Sequence, residues 1–187
     1  AGQAPLRLLA RFRSEPNGAR LLAARPHLLS RLQDRSALER LPSGSLAHAY
    51  LAFIDREGIT AEGLVQASVE GLSAEVRRGS DLVFVRDRLR DSHDLWHTVT
   101  GYQGDLVGES ALLAFNVAQL NNPGIALIVL TALLRFRALD FAKLIGRAFV
   151  DGMRATWLPP VPWESLLPLP LDEVRALLRV APTPAYV

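Results

Sequence analysis

Apolar residues in this 187-residue chain recur at helical spacing and hardly ever alternate, which points to an all-α architecture. Residues 43–56, SGSLAHAYLAFIDR, show the pattern clearly. Leu46, Ala49, Tyr50, Phe53 and Ile54 share one helical face, Ser43 or Ser45 can cap its start, and Gly58 can stop it. Asn122 and Pro123 open a longer pattern, since asparagine caps well and proline's missing N–H costs nothing in a first turn. That pattern runs over about residues 124–155, with a bend at Gly146. Its first half is apolar nearly all round, which predicts a long, buried central helix or the lining of an apolar cavity. The best strand candidate, residues 82–85, is short and enters a charged helical pattern without a hairpin turn. Residues 157–170, WLPPVPWESLLPLP, hold too many prolines for one regular helix. A short last helix over 171–180 follows, with Asp172 and Glu173 in its first turn and Arg179 in its last. The expectation is a single helical domain over 1–187, its first forty residues helical but weakly characterised, with loose ends at 1–2 and 182–187.

Composition narrows the chemistry. Apolar residues make up 49% and charged residues 21%, the balance of a folded globular protein. A formal charge of +2 gives no reason to expect nucleic acid, although it permits attraction to an anionic lipid surface. Lys143 is the sole lysine, so the positive charge is almost all arginine. Cysteine is absent, which excludes disulfides, iron–sulfur clusters and thiolate zinc sites; any metal must rest on His, Asp or Glu. No cationic start followed by an apolar core marks a signal peptide. The longest nearly unbroken apolar run, 125–134, falls short of the roughly 20 residues a membrane span needs. A soluble or peripheral protein is expected.

Residues 86–109, RDRLRDSHDLWHTVTGYQGDLVGE, concentrate the chemistry. His93 and His97 are four apart and lie in one narrow sector of a helix, with Asp94 at its edge. Gly101, Gly104 and Gly108 let the backbone reverse, and Gly101 suits a helix C-cap. Glu109 opens the next apolar helical pattern, so an antiparallel helix pair could bring it to the histidines as a fourth ligand. Two imidazoles with one or two carboxylates suit zinc, iron, manganese or cobalt. The competing reading is a pair of surface histidines, or core histidines held by carboxylates. Metal is favoured because the other histidines, His27 and His48, have no such carboxylate spacing, and because the glycines return the chain to a glutamate. A zinc protease would carry glutamate where Asp94 stands. A histidine–aspartate phosphohydrolase would need further ligands, and His48, Asp140 and Asp151 lack the spacing to supply them.

If the helix extends backwards, Arg86 and Arg90 share the histidine face and could hold an anionic head group, about 5–10 Å along the axis at a rise of 1.5 Å per residue. Equally, they could pair with Asp87, Asp91 or another helix. The apolar segments 111–120 and 125–134 could form either a packed core or a lipid tunnel ending at the metal.

The string HDLWHTVTGY followed by GE resembles the family of the fourth protein of the Coq series in ubiquinone (coenzyme Q) biosynthesis. His93, Asp94, His97 and Glu109 match that family's histidine–aspartate–two–histidine–eleven–glutamate metal motif without departure. LPSGSLAHAYLAFIDREGI and WESLLPLPLDEVRALLRV resemble its upstream segment and its ending, so the likeness covers about residues 41–180. The resemblance implies an all-helical fold, a divalent metal (zinc as isolated; iron, manganese or cobalt as the active form) and a polyprenylated aromatic lipid ligand. It also implies partnership with other ubiquinone-biosynthesis enzymes on a membrane surface, with a homodimer compatible. The site would be peripheral on the bacterial inner membrane, or on the matrix side in mitochondria. The activity implied is metal-dependent oxidative decarboxylation at ring carbon 1 of a prenylated hydroxybenzoate, a lyase-type reaction with His93, Asp94, His97 and Glu109 as catalytic ligands. A non-catalytic prenyl-lipid scaffold is the alternative, and a prenyl-phosphate hydrolase ranks a distant third.

Overall fold

The computed structural model describes residues 3–58, 80–136 and 138–183, and every regular element among them is a helix. In order these are α1 (Gln3–Ser14), α2 (Pro16–Ala24), α3 (Leu28–Gln33), α4 (Arg35–Glu39), α5 (Leu46–Glu57), α6 (Asp81–Asp91), α7 (His93–Thr100), α8 (Leu106–Leu120), α9 (Pro123–Arg135), α10 (Leu139–Arg154), α11 (Trp163–Leu166) and α12 (Leu171–Leu178). The chain packs as two compact units, Ala1–Leu95 with Pro159–Leu171, and Trp96–Leu158 with Asp172–Val187.

In the first unit α1 packs on α2 and α6, α3 on α4, α6 and α11, and α4 on α5. The α5 helix begins where expected: Ser45 Oγ accepts from the His48 N–H, and Gly58 ends it in the left-handed conformation at φ 64°. The proline-rich return is a strap. Leu46 and Ala47 donate backbone N–H groups to the carbonyls of Leu169 and Leu167 at 2.8 and 3.0 Å, satisfying donors at the open start of α5. Arg88 of α6 is buried and grips both carboxylate oxygens of Glu164 at 2.8 Å each, with a third bond to the Val161 carbonyl at 2.8 Å.

The second unit is built on α8, whose main partner is α10, followed by α9. Its buried face carries Ala111, Leu112, Ala114 and Phe115. Gly152 of α10 lets the two backbones come close, since a Cβ there would meet the Phe115 carbonyl oxygen at 2.6 Å. Gln119 ties the far end: its side chain donates to the Gly152 carbonyl at 2.7 Å and accepts from the Leu158 N–H at 2.8 Å.

Three expectations need correction. The long apolar helix over 124–155 is two helices, α9 and α10, and the interruption falls after Phe136 rather than at Gly146. The first of these is not buried either. Val129 is its buried residue, while Leu127, Ile128, Leu130 and Leu134 are 52–69% exposed, because only one stripe of an all-round apolar helix meets its neighbour. Residues 82–85 lie inside α6, in keeping with the charged helical pattern that the run enters. Residues 182–183 are not loose, for Thr183 bonds twice to the Thr100 carbonyl; residues 1–2 and 184–187 lie outside the described residues. No helix among the described residues is long and apolar enough to cross a membrane.

Candidate metal centre

Helix α7 carries both histidines one turn apart. It does not continue from α6: the chain turns at Ser92, whose N–H bonds the Arg88 carbonyl at 2.9 Å. Gly101 closes the other end at φ 84°, donating to the His97 carbonyl at 2.8 Å. Four residues later Asp105 caps α8, accepting from the N–H groups of Val107 and Gly108 at 2.8 Å each. Glu109 therefore sits in the first turn of α8, where a carboxylate suits the positive end of the helix dipole.

This arrangement brings three of the four expected ligands together. His93, His97 and Glu109 each offer one ligand atom, and those atoms all lie within 4.8 Å of one another. His97 is 1% exposed, and its Nδ1 faces the Tyr102 carbonyl at 2.9 Å. A carbonyl only accepts, so Nδ1 carries a proton, and Nε2 is the nitrogen left to serve as a ligand atom. That Nε2 lies 3.2 Å from Glu109 Oε1. A proton on Nε2 or a cation shared with Glu109 satisfies this contact, and the second is the metal reading. Ligand atoms about 2.1 Å from a tetrahedral ion are roughly 3.4 Å apart, so the spacing fits. Two imidazoles and a carboxylate make a donor set that a divalent metal such as zinc would accept.

Asp94 is not in the converging group. Its Oδ1 lies 3.3 Å from His93 Nδ1, the place of a carboxylate that orients a ligating imidazole. The Tyr50 hydroxyl is buried, and burial, then the charges of Asp94 and Asp91, push it above the usual phenol range, so it stays neutral. Arg86 pairs with Asp87 at 3.1 Å, and Arg90 pairs with Asp91 at 2.7 Å and with Asp87 at 3.4 Å. Of the residues considered for a phosphohydrolase, His48 Nε2 faces the Glu39 carbonyl at 3.3 Å, Asp140 pairs with Lys143, and Asp151 with Arg147. None joins the cluster. Sequence reasoning missed the Tyr102 carbonyl, since a backbone acceptor leaves no mark in the side-chain pattern. It also missed Asp105, although an aspartate just before an apolar helical run is a cap signal.

Comparison with known proteins adds a family. The model of the family described as coenzyme Q (ubiquinone) biosynthesis protein Coq4 matches residues 1–184, including the first forty, where no motif stands out. The chain is 31% identical over 180 residues to the mitochondrial ubiquinone biosynthesis protein COQ4 of Pyricularia oryzae, covering 91% of this chain and 55% of that protein. It is 29% identical over 180 residues to the mitochondrial COQ4 homolog of Rattus norvegicus, covering 94% and 65% respectively. The chain thus spans only part of the length of these relatives. A crystal structure of a ubiquinone biosynthesis candidate from Nostoc punctiforme shares the fold, with a TM-score of 0.67 at 21% identity over 94% of this chain and 81% of that one.

Proposed function

The chain belongs to the Coq4 family of coenzyme Q (ubiquinone) biosynthesis, and on that premise we propose that it removes the carboxylate from ring carbon 1 of a prenylated hydroxybenzoate and leaves a hydroxyl there. The observation that carries the reading is the convergence of His93, His97 and Glu109, three positions of the family's metal motif, within 4.8 Å. These three side chains hold the divalent metal, and Asp94 orients the His93 ring. When bound, the metal supplies a Lewis acid for the ring phenolate and carboxylate. Replacing carboxylate by hydroxyl consumes one water, releases carbon dioxide and a proton, and gives up two electrons, for which dioxygen is the oxidant. Burial of His97 and its contact with the Tyr102 carbonyl hold that imidazole in one orientation. Arg86 and Arg90 hold an anionic head group only by exchanging their present aspartate partners.

The lipid, the membrane and the other ubiquinone-biosynthesis enzymes enter as partners in this reading, with a homodimer compatible. The location is the cytoplasmic face of a bacterial inner membrane, or the matrix side in mitochondria. The exposed leucines of α9 support a lipid surface and also favour a second reading, a non-catalytic scaffold that holds the prenyl chain and gathers the enzymes.

Turnover separates the two. Protein purified without chelator or affinity nickel is expected to carry a divalent metal near one per chain, and His97→Ala to reduce it to background. Iron, manganese or cobalt forms given dioxygen and a prenylated hydroxybenzoate should release carbon dioxide and a hydroxylated ring. Metal binding with no turnover in any form leaves the scaffold. No metal at all removes the centre itself.

A further inference from the structure

The end of the histidine helix is held by groups from a distant part of the sequence. A helix leaves its last carbonyls without intrahelical partners, and those of α7 belong to the turn that carries His97. Arg175 of α12 reaches them. Its Nε donates to the Val99 carbonyl at 2.9 Å, and its Nη2 approaches the Thr98 carbonyl at 3.5 Å. Thr183 takes the next carbonyl twice, donating to Thr100 O from its N–H at 3.1 Å and from its hydroxyl at 2.6 Å. Three successive carbonyls are thus satisfied from seventy-six or more residues away. The contact is local to one place: a Cβ on Gly101 would meet the Thr183 N and Cβ and Arg175 Nη2 at 3.7–3.9 Å. Arg175 is well covered, with 18% of its side chain exposed, and its charge suits the negative end of the α7 dipole.

We infer that Arg175 and Thr183 are positioning residues for the metal centre, acting through the C-terminal turn of α7. The inference rests on the metal reading proposed above. The chain passes directly from the clamped carbonyls to Gly101 and to the Tyr102 carbonyl that sets the His97 ring. The linker 101–105 then leads to Glu109 in the first turn of α8. A shift of this turn moves His97 Nε2 relative to Glu109 Oε1, now 3.2 Å apart, where a few tenths of an ångström decide whether one ion can bridge them. Groups that orient ligands in this way typically alter metal affinity by about 10–100-fold when removed.

Cobalt(II) is the probe, because its visible absorption reports ligand geometry independently of activity. Metal-free protein is titrated with cobalt(II) for the parent chain, Arg175→Ala, Arg175→Lys and Thr183→Val. The expected result is a fall in affinity of about tenfold or more for Arg175→Ala with an altered spectrum. Thr183→Val should fall less, and Arg175→Lys should recover part of the affinity, since an ammonium restores one carbonyl contact and the charge. Far-ultraviolet dichroism of the metal-free variants should match the parent. A folded Arg175→Ala with parental affinity and spectrum overturns the inference while leaving the centre intact. If Arg175→Ala does not fold, parental binding by both Thr183→Val and Arg175→Lys overturns it instead. A parent chain that binds no cobalt, with His97→Ala indistinguishable from it, sinks the metal reading and the clamp together.

Discussion

Arg88 has only 2% of its side chain exposed, and its charge is matched by Glu164, itself 19% exposed. Burial by itself would raise the Glu164 carboxyl, but hydrogen bonds from Arg88 and its charge outweigh that and hold it below its ordinary value of 4.5. An acid lowered in the folded state contributes stability that is complete above its ordinary value and drains away as pH falls through the folded one. Asp91 works in the opposite sense: burial raises it, so its contribution is lost as pH rises. Glu164→Gln should cost on the order of 3 kcal/mol near pH 7, since it leaves a buried guanidinium without its counter-charge. The difference from the parent should shrink below pH 4.5, measured by urea unfolding across the acid range. A difference independent of pH would mean that the ion pair is not its source. This pair was invisible in the sequence, because the partners stand 76 residues apart and nothing local marks either one as buried. His93, His97 and Glu109 were legible because a fixed helical angle and a glycine-spaced return are local geometry.

At the scale of elements, the helices with a polar and an apolar side were readable from spacing and caps: Ser45, Asn122 and Gly58 act as their residue types suggest. The boundary between α9 and α10 was not, since the chain carries neither proline nor glycine at Phe136 and Ala138 to announce it. Two glycines of α10 show how packing reverses a local rule. Alanine is worth about 0.5–1 kcal/mol over glycine inside a helix. Gly146 has no neighbour within 4 Å of a built Cβ, so Gly146→Ala should gain about that much. At Gly152 the same methyl would lie 2.6 Å from the Phe115 carbonyl oxygen and 3.1 Å from the Ala118 Cβ, so Gly152→Ala should lose about 1–3 kcal/mol. Opposite shifts of the denaturation midpoint are the expected outcome; equal shifts would contradict the close approach of α8 and α10.

At the scale of the molecule, the exposed face of α9 gives the membrane proposal a testable surface. Leu130 and Leu134 are 52% and 69% exposed, and exposed Arg135 adjoins them. Leu130→Asp or Leu134→Asp should weaken binding to vesicles of mixed phosphatidylcholine and phosphatidylglycerol by about tenfold or more, given 1.5–3 kcal/mol per buried leucine side chain. The thermal midpoint should not change, because neither side chain is in the core. Unaltered vesicle binding would take this face out of the proposal. The sequence by itself determined the helical class, most of the caps, the exclusion of thiolate chemistry and the pairing of two imidazoles on one turn. Each of these depends on residues within a few positions of one another, where backbone geometry is the same in any fold. Only the tertiary structure decided that α9 is exposed, that Asp94 stands beside His93 rather than in the converging group, that Arg88 is neutralised by Glu164, and that Arg175 and Thr183 hold the end of α7. Burial and long-range pairing depend on which surfaces meet, and spacing along the chain does not carry that information.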